Sequence, residues 1–377
     1  MNWVAGGTLQ VGELIDPTVV DLSDSQLTLL RDIFGIQSTA DFDNRFFTYT
    51  EGSRVGLGSL GGDVVFSQQP GFLDFLPPSL TAVAYGGDVI VGAPRLDFFP
   101  AANSTLELVA RDNVTGNDSG SVGTRLRQSD EDRSLLPSVD RPDIVAGDAL
   151  PAPVPVHTGD AVPNLIIARD GSIRTRPDAP DFWTLEFAKP TLLQAGTDIS
   201  NLAVRVQQIA GDALSSFRAG RDIVQGELRD PTGRFAANDR RIYEIAGPGA
   251  AEFFAYRDIS LGTSAGIESI GNARNPALSG AGAELRLLAG TGGEPAYDRF
   301  IEVYLSGEPS AYRDELNTVL AEIDAARAGF PASSEKTDLT IAPGEYAGEL
   351  AEFLADNGIA VVDDDPLGTF RSLDRAV

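Results

Sequence analysis

Gly61-Gly62-Asp63-Val64 and, one short interval later, Gly86-Gly87-Asp88-Val89 carry the same phrase: small residues, an aspartate, then a β-branched residue. The phrase returns as Ala110-Arg111-Asp112-Asn113-Val114 and Ala168-Arg169-Asp170-Gly171-Ser172-Ile173. Later come Ala195-Gly196-Thr197-Asp198-Ile199, Ala219-Gly220-Arg221-Asp222-Ile223 and Tyr256-Arg257-Asp258-Ile259. The aspartates are 25, 24, 58, 28, 24 and 36 residues apart. A recurring spacing near 24 suits one coil of a solenoid, and longer gaps suit coils that carry insertions. Glycine supplies tight-turn conformations, and an aspartate side chain bonds nearby backbone N–H groups as an Asx-turn. The Val or Ile that follows starts a strand. The reading therefore predicts a structural turn ladder of Asp63, Asp88, Asp112, Asp170, Asp198, Asp222 and Asp258.

Short apolar runs flank the phrases: Leu106-Glu107-Leu108-Val109, Leu165-Ile166-Ile167, Val204-Arg205-Val206 and Leu285-Arg286-Leu287-Leu288. They alternate or run apolar over four or five residues, as half-buried strands do. One coil cannot bury its own apolar face, so stacked neighbours must cover it. About ten coils at roughly 4.8 Å each would make a rod on the order of 50 Å long. A β-sandwich is the structural alternative, but the two-residue Asn-Gly and Asp-Gly hairpin turns it needs are sparse. The fold class expected is mostly β, a right-handed parallel β-helix (solenoid) over residues 1–293. Residues 116–163 interrupt the phrase with Asn117-Asp118-Ser119-Gly120, Ser129-Asp130-Glu131-Asp132-Arg133 and Pro151-Ala152-Pro153-Val154-Pro155. They are expected as a long extended insertion along the shaft, because proline excludes a central strand.

From Pro295 the period changes, and residues 294–377 are expected as a small α-helical cap or docking module. Tyr297, Phe300, Ile301, Tyr304 and Leu305 fall on one helix face. Ser310 is placed to cap a second helix bearing Tyr312, Leu316, Val319, Leu320 and Ile323, with Gly329 and Pro331 stopping it. A third is expected over 345–356, with Tyr346, Leu350, Phe353 and Leu354 inward and Gly358 ending it.

Composition bounds the function. Apolar residues make up 42% of 377, enough for a continuous core, while 40 glycines and 23 prolines punctuate any long helix. Cysteine is absent, which excludes a disulfide scaffold and thiol chemistry. With 29 Lys and Arg against 55 Asp and Glu, the formal charge of −26 repels nucleic acid and anionic membranes. No apolar run is long enough to cross a bilayer as a helix. Met1 to Gly12 lacks the basic and apolar regions of a signal peptide, so an exported protein with this start is expected to be a mature piece of something longer.

The stretch from Leu192 to Gly290 resembles the C-terminal region of filamentous haemagglutinin-family exoproteins of Gram-negative bacteria. The resemblance rests on Ala219-Gly220-Arg221-Asp222-Ile223, Leu228-Arg229-Asp230-Pro231 and Ile245-Ala246-Gly247-Pro248-Gly249. It rests most on the run from Asp258 to Asn272, closed by Asn275-Pro276-Ala277-Leu278, with echoes at Leu135-Leu136-Pro137 and His157-Thr158-Gly159-Asp160. The family's secretion domain, with its Asn-Pro-Asn-Leu motif, is not in this sequence. The resemblance implies two-partner secretion through an outer-membrane partner, a parallel β-helix shaft and structural or adhesive work at the cell surface. Its implied partners are a surface glycan or protein of a host or neighbouring cell, and further copies of itself.

Several motifs have a plainer reading beside the chemical one. Gly262-Thr263-Ser264-Ala265-Gly266 matches the nucleophile elbow of hydrolases, which needs a strand–turn–helix context and a later histidine. The one histidine, His157, lies upstream, and Ile267-Glu268-Ser269-Ile270 reads as strand. Gly56-Leu57-Gly58-Ser59-Leu60-Gly61 matches a dinucleotide loop, yet a strand and not a helix follows. Asp363-Asp364-Asp365 and the aspartate turns leave calcium open, and read more simply as a solvated acidic surface. Asn103, Asn113 and Asn117 each begin a glycosylation triplet. No catalytic, cofactor-binding or metal-ligating set is expected, because the charged residues recur whereas catalytic residues are unique. A carbohydrate-active enzyme on the same architecture is the alternative; it would need one groove with unrepeated carboxylates and aromatics, and Trp3 and Trp183 are few and far apart. A third reading is an assembly module that forms filaments through its helical tail.

Overall fold

The computed structural model describes residues 1–12, 14, 47–67, 75–92, 95–116, 124–128, 130–136, 154, 156–176, 182–227, 239–291, 297–327 and 340–373. The chain forms two compact units, one of residues 1–226 and 240–292, the other of 227–239 and 293–377.

The first unit is mostly β. Its strands fall into three all-parallel sheets of nine, eight and seven strands, as in a parallel β-helix or solenoid-like fold. From the strand Arg54–Ser59 onward, successive strands enter the first, second and third sheet in turn and each pairs with the strand three places on; the first two strands, Asn2–Ala5 and Leu9–Val11, pair with the strand two places on. One coil, for example, runs through Thr191–Ala195, Ile199–Ser200 and Leu202–Gln207. The antiparallel hairpins of a sandwich do not occur among the described strands.

Register turns the apolar pattern into columns. In the first sheet Leu57, Ala82, Leu108, Ile166, Leu193, Phe217 and Phe253 stack inward. The second contributes Val64, Val89, Val114, Ile173, Ile199 and Ile223, and the third Leu96, Leu126, Leu185, Val204 and Tyr243. Each buried Val, Leu or Ile stabilises by about 1.5–3 kcal/mol, so the core is a sum of similar layers. Phe217 and Phe253 stack with ring centroids 4.5 Å apart, and Tyr243 meets both edge-on.

Two glycines are required by shape. At Gly116 an added Cβ would lie 1.9 Å from Cδ2 of the fully buried Trp183, so the missing side chain makes room for the indole. Gly116→Ala is expected to cost about 1–3 kcal/mol, read as a lower urea midpoint, and Trp183→Leu in the same chain should relieve most of it. Equal losses with and without Trp183 would sink this account. At Gly247, with φ of 88°, a Cβ would strike the carbonyl oxygen of Gln208.

The insertion expected over 116–163 is less of an interruption than its composition suggests. Arg125–Arg127 forms a strand of the third sheet, with Leu126 fully buried, and Val114–Gly116 belongs to the second. The departure begins beyond Gln128, in the corner that leads back to Asn164. Asn117 to Gly120 and Pro151 to Pro153 lie outside the described residues.

In the second unit, helix α1 (Tyr297–Phe300) runs into a π-helical turn, Ile301–Leu305. The wider turn changes the face: Ile301, Val303 and Leu305 are buried, whereas Tyr297 and Phe300 are exposed. Helix α2 (Ala311–Arg327) begins as expected at Ser310, whose Oγ accepts the Arg313 N–H at 3.1 Å. The residue it buries is Arg313 and not Tyr312; its guanidinium donates to the carbonyls of Glu302, Val303, Ser306 and Glu308. A cation is favoured there, at the end of a helix where carbonyls lack partners. Leu316, Val319 and Leu320 are half-buried, and the Ile323 side chain, Gly329 and Pro331 lie outside the described residues. Helix α3 (Ala347–Asp356) buries Leu354 while Tyr346 and Phe353 face outward, and Gly358 ends it with φ of 73°. A helix not expected from the sequence, α4 (Pro366–Ser372), starts where Asp365 accepts the Gly368 N–H at 2.8 Å. The acidic triplet is thus in part a helix cap.

Candidate functional site

The corner between the first and second sheets carries the aspartate phrase. The residue just before each inward Val or Ile forms one line: Thr8, Asp63, Asp88, Asn113, Ser172, Asp198, Asp222 and Asp258. Each side-chain oxygen accepts the backbone N–H of the next member. Asp63 Oδ1 takes Asp88 N at 2.9 Å, Asp88 Oδ1 takes Asn113 N at 2.6 Å, and Asn113 Oδ1 takes Ser172 N at 3.0 Å. Asp198 and Asp222 do the same for Asp222 and Asp258, at 3.2 and 3.1 Å. The bonds thus run between coils and are not Asx-turns within one. Arg221 and Arg257 grip the carboxylates of Asp198 and Asp222 from the following coil, and the Arg257 bonds hold the Asp222 carboxyl below its usual range.

Two expected members are off this line. In two coils the aspartate does not directly precede the inward residue but stands one or two positions earlier in the corner. Asn113 stands where Asp112 was expected, and Ser172 where Asp170 was expected. Asp112 and Asp170 point to solvent, and Asp170 pairs with Arg169 at 2.7 Å. Asp88→Ala is therefore expected to cost about 1–2 kcal/mol, by stranding the Asn113 N–H, while Asp88→Asn keeps an acceptor. Asp112→Ala should stay within about 0.5 kcal/mol of the parent in the same urea titration. A reversed order would mean that the line is misplaced.

The third sheet carries a different column on its outer face. Asp97, Arg127, Glu186, Arg205 and Glu244 share one register position, so the charge alternates from coil to coil. Arg127 reaches Asp97 at 3.3 Å and Glu131 at 2.7 Å, Arg205 reaches Glu186 at 2.7 Å, and Arg274 clasps both oxygens of Glu244. Between these side chains lies a cleft of about 300 Å³, which Phe187, Ala188, Val206 and Ala246 also border. A wider groove of about 720 Å³ crosses the first sheet between Arg218, Glu252 and Arg286. Its polar groups are surface ion pairs, of the kind worth little individually.

Behind the cleft, in the corner between the third and first sheets, polar residues replace the apolar columns. Asn164, Thr191 and Ser215 stack in register, with Asn164 Nδ2 donating to Thr191 Oγ1 at 3.3 Å and Thr191 N to Ser215 Oγ at 3.2 Å. Gln128 and Asn164 exchange amide hydrogen bonds. Lys189, fully buried, puts Nζ 2.7 Å from Asp160 Oδ2, which also accepts Ser104 N at 3.0 Å. Burial pushes the Lys189 ammonium below its usual range, and Asp160 opposes that shift. His157 is buried beside the pair, its Nδ1 3.9 Å from Asp160 Oδ2.

Asp130 joins seam and cleft. It is 5% exposed, its Oδ2 meets Asn275 Nδ2 at 3.4 Å, and the amides of His157 and Val156 face the carboxyl. Oδ1 makes no hydrogen bond. Loss of solvent outweighs these donors and pushes the carboxyl up to about 7. Sequence reading placed Asp130 in a charged surface run and had no signal for its burial.

The remaining motifs resolve into structure. Ser264 donates to the Leu261 carbonyl at 2.6 Å within a turn, and the strand Ile267–Ser269 follows it, so no elbow forms. The Gly56 to Gly61 stretch lies in and just after the strand Arg54–Ser59 and leads to the strand Val64–Phe66. Asn103 is exposed; the Asn113 amide is bonded on both sides, to Asp88 Oδ1 and Ser172 N; Asn117 lies outside the described residues. Among the described residues no three His, Asp or Glu side chains gather as a metal-binding set. No described helix is long and apolar enough to cross a membrane. Comparison with protein-family models, curated proteins and solved structures returned no match.

Proposed function

We propose that this chain is a non-catalytic structural and adhesive segment of an exported bacterial surface fibre of the filamentous haemagglutinin kind, its three sheets wound as a right-handed β-helix. The observation that carries the reading is the line from Thr8 to Asp258, in which most chemistry-bearing side chains of one corner are engaged in bonds to the next coil. A net charge of −26 supports it, since self-repulsion keeps an exported rod soluble. In this reading the protein leaves a Gram-negative cell through an outer-membrane partner and meets glycan or protein on a facing surface, with self-association of copies along the fibre.

A glycan array read together with product release, with and without Ca²⁺, tests it. Retention of glycans without shortened products is the expected result. Asp130 favours a second reading, because a carboxyl that burial pushes up to about 7, in a cleft that Glu131, Glu186 and Glu244 also line, resembles the raised-pKa acid of glycoside-cleaving sites. Release of oligosaccharide fragments, lost in Asp130→Asn, would replace the fibre reading with that of a carbohydrate-active enzyme.

A further inference from the structure

We propose that the third-sheet cleft is a binding site for one neutral saccharide unit, seated between Arg127, Arg205 and Asp130. The proposal rests on the adhesive reading above and names the ligand chemistry of one place in it.

The fixed charges of the cleft are already matched. Arg127 holds Asp97 and Glu131, Arg205 holds Glu186, and Arg274 holds Glu244. No cation is left over for an anionic ligand, and the chain's charge of −26 repels one at a distance. What remains unmatched is hydrogen-bonding capacity. Arg127 Nη2, Arg205 Nε and Asp130 Oδ1 are all buried, and none has a hydrogen-bond partner. Buried polar atoms left so are rare in folded proteins, and each costs about 1–3 kcal/mol. Three of them border one small cleft.

A ligand that satisfies them must offer acceptors to two N–H groups and a hydroxyl to a carboxyl oxygen, and must carry no charge. It must also present an apolar face to the apolar part of the lining, to which Phe187, Ala188, Val206 and Ala246 contribute. A pyranose ring meets these conditions, since its hydroxyls both donate and accept while its C–H face is apolar. The volume, about 300 Å³, is at the small end of ligand pockets and suits a single ring, not a long chain.

The test is titration of the whole protein with the methyl glycosides of glucose, galactose, mannose and N-acetylglucosamine, followed by calorimetry and saturation-transfer NMR. At least one is expected to saturate in the millimolar range. Gln207→Trp, which fills the mouth, should weaken it about tenfold, and Asp130→Leu, which removes the unmatched oxygen, about fivefold. Gln194→Ser, on the first sheet, should leave it unchanged. Thermal midpoints of the variants separate lost binding from lost folding, and either variant alone suffices if the other unfolds. The site is overturned if none of the four saturates, or if a folded Gln207→Trp or Asp130→Leu binds like the parent. Saturation by glucuronate alone overturns the neutral class. Shortened products from a longer glycan that still binds here would overturn the non-catalytic reading and leave the cleft standing; a fibre that adheres with an empty cleft would do the reverse.

Discussion

Asp130→Asn will be more stable than the parent at pH 8 by on the order of 3–4 kcal/mol, and the two will converge near pH 4. The unfolded chain releases this proton near the ordinary value of 3.8, whereas the folded protein holds it until about 7. Between those values the folded state binds more protons than the unfolded one, so stability falls as pH rises. The contribution is fully present below the lower value and gone above the upper one. Asparagine has the same shape, keeps an oxygen for the Asn275 and His157 donors, and does not ionise. Urea midpoints of both proteins at intervals from pH 4 to 8 isolate the effect, since every other group titrates alike in the pair. Parallel curves would show that the carboxyl is better solvated than its 5% exposure implies.

The second large effect is Lys189→Met, expected to cost about 3–5 kcal/mol. Lys189 is the ammonium that balances Asp160, and both are cut off from water. Removing it leaves the buried Asp160 carboxyl with the N–H groups of Ser104 and Val162 and with His157 Nδ1 3.9 Å away. Asp160→Asn added to Lys189→Met should recover more than half of the loss, because the amide oxygen still accepts the Ser104 N–H without a charge. Additive losses in that double-variant cycle would mean that packing of the lysine stem, and not its charge, holds the corner.

Much of the β architecture was legible because two signals agreed: a turn phrase at near-constant spacing and apolar runs too short for helices. The ladder was legible in kind but not in register. Asp112 and Asp170 misled because Asn113, and Gly171 with Ser172, stand between them and the inward Val114 and Ile173, which leaves the phrase recognisable and moves its aspartate to the outside. The seam was hidden for another reason. Asn164 and Thr191 begin their strands and Ser215 is second in its own, where polar residues read as turn edges, and only the register shows them pointing inward. Asp130 was out of reach entirely, since its environment is assembled from Val156, His157 and Asn275, the last 145 residues away. In the second unit the strict helical period at Tyr297 to Leu305 failed because a π turn exchanged Tyr304 for Val303 on the buried face.

The line of inter-coil bonds is longest at two places, where Thr8 Oγ1 and Ser172 Oγ each accept the next backbone N–H at 3.4 Å. Where Ser172 substitutes for an acidic side chain, its hydroxyl reaches Asp198 N only at 3.4 Å and bonds Thr197 Oγ1 at 2.7 Å instead. There too the second sheet is thin, with only Ile173 and Arg174 facing Ile199 and Ser200, as is the next junction, from Ile199 and Ser200 to Ile223 and Val224. Under tension along its axis a stack of like layers parts at its weakest junction, as a zip does at a worn tooth. If the coils are pulled apart, the junctions held by a hydroxyl at 3.4 Å, those of Thr8 and Ser172, are expected to part before those held by a carboxylate or amide oxygen.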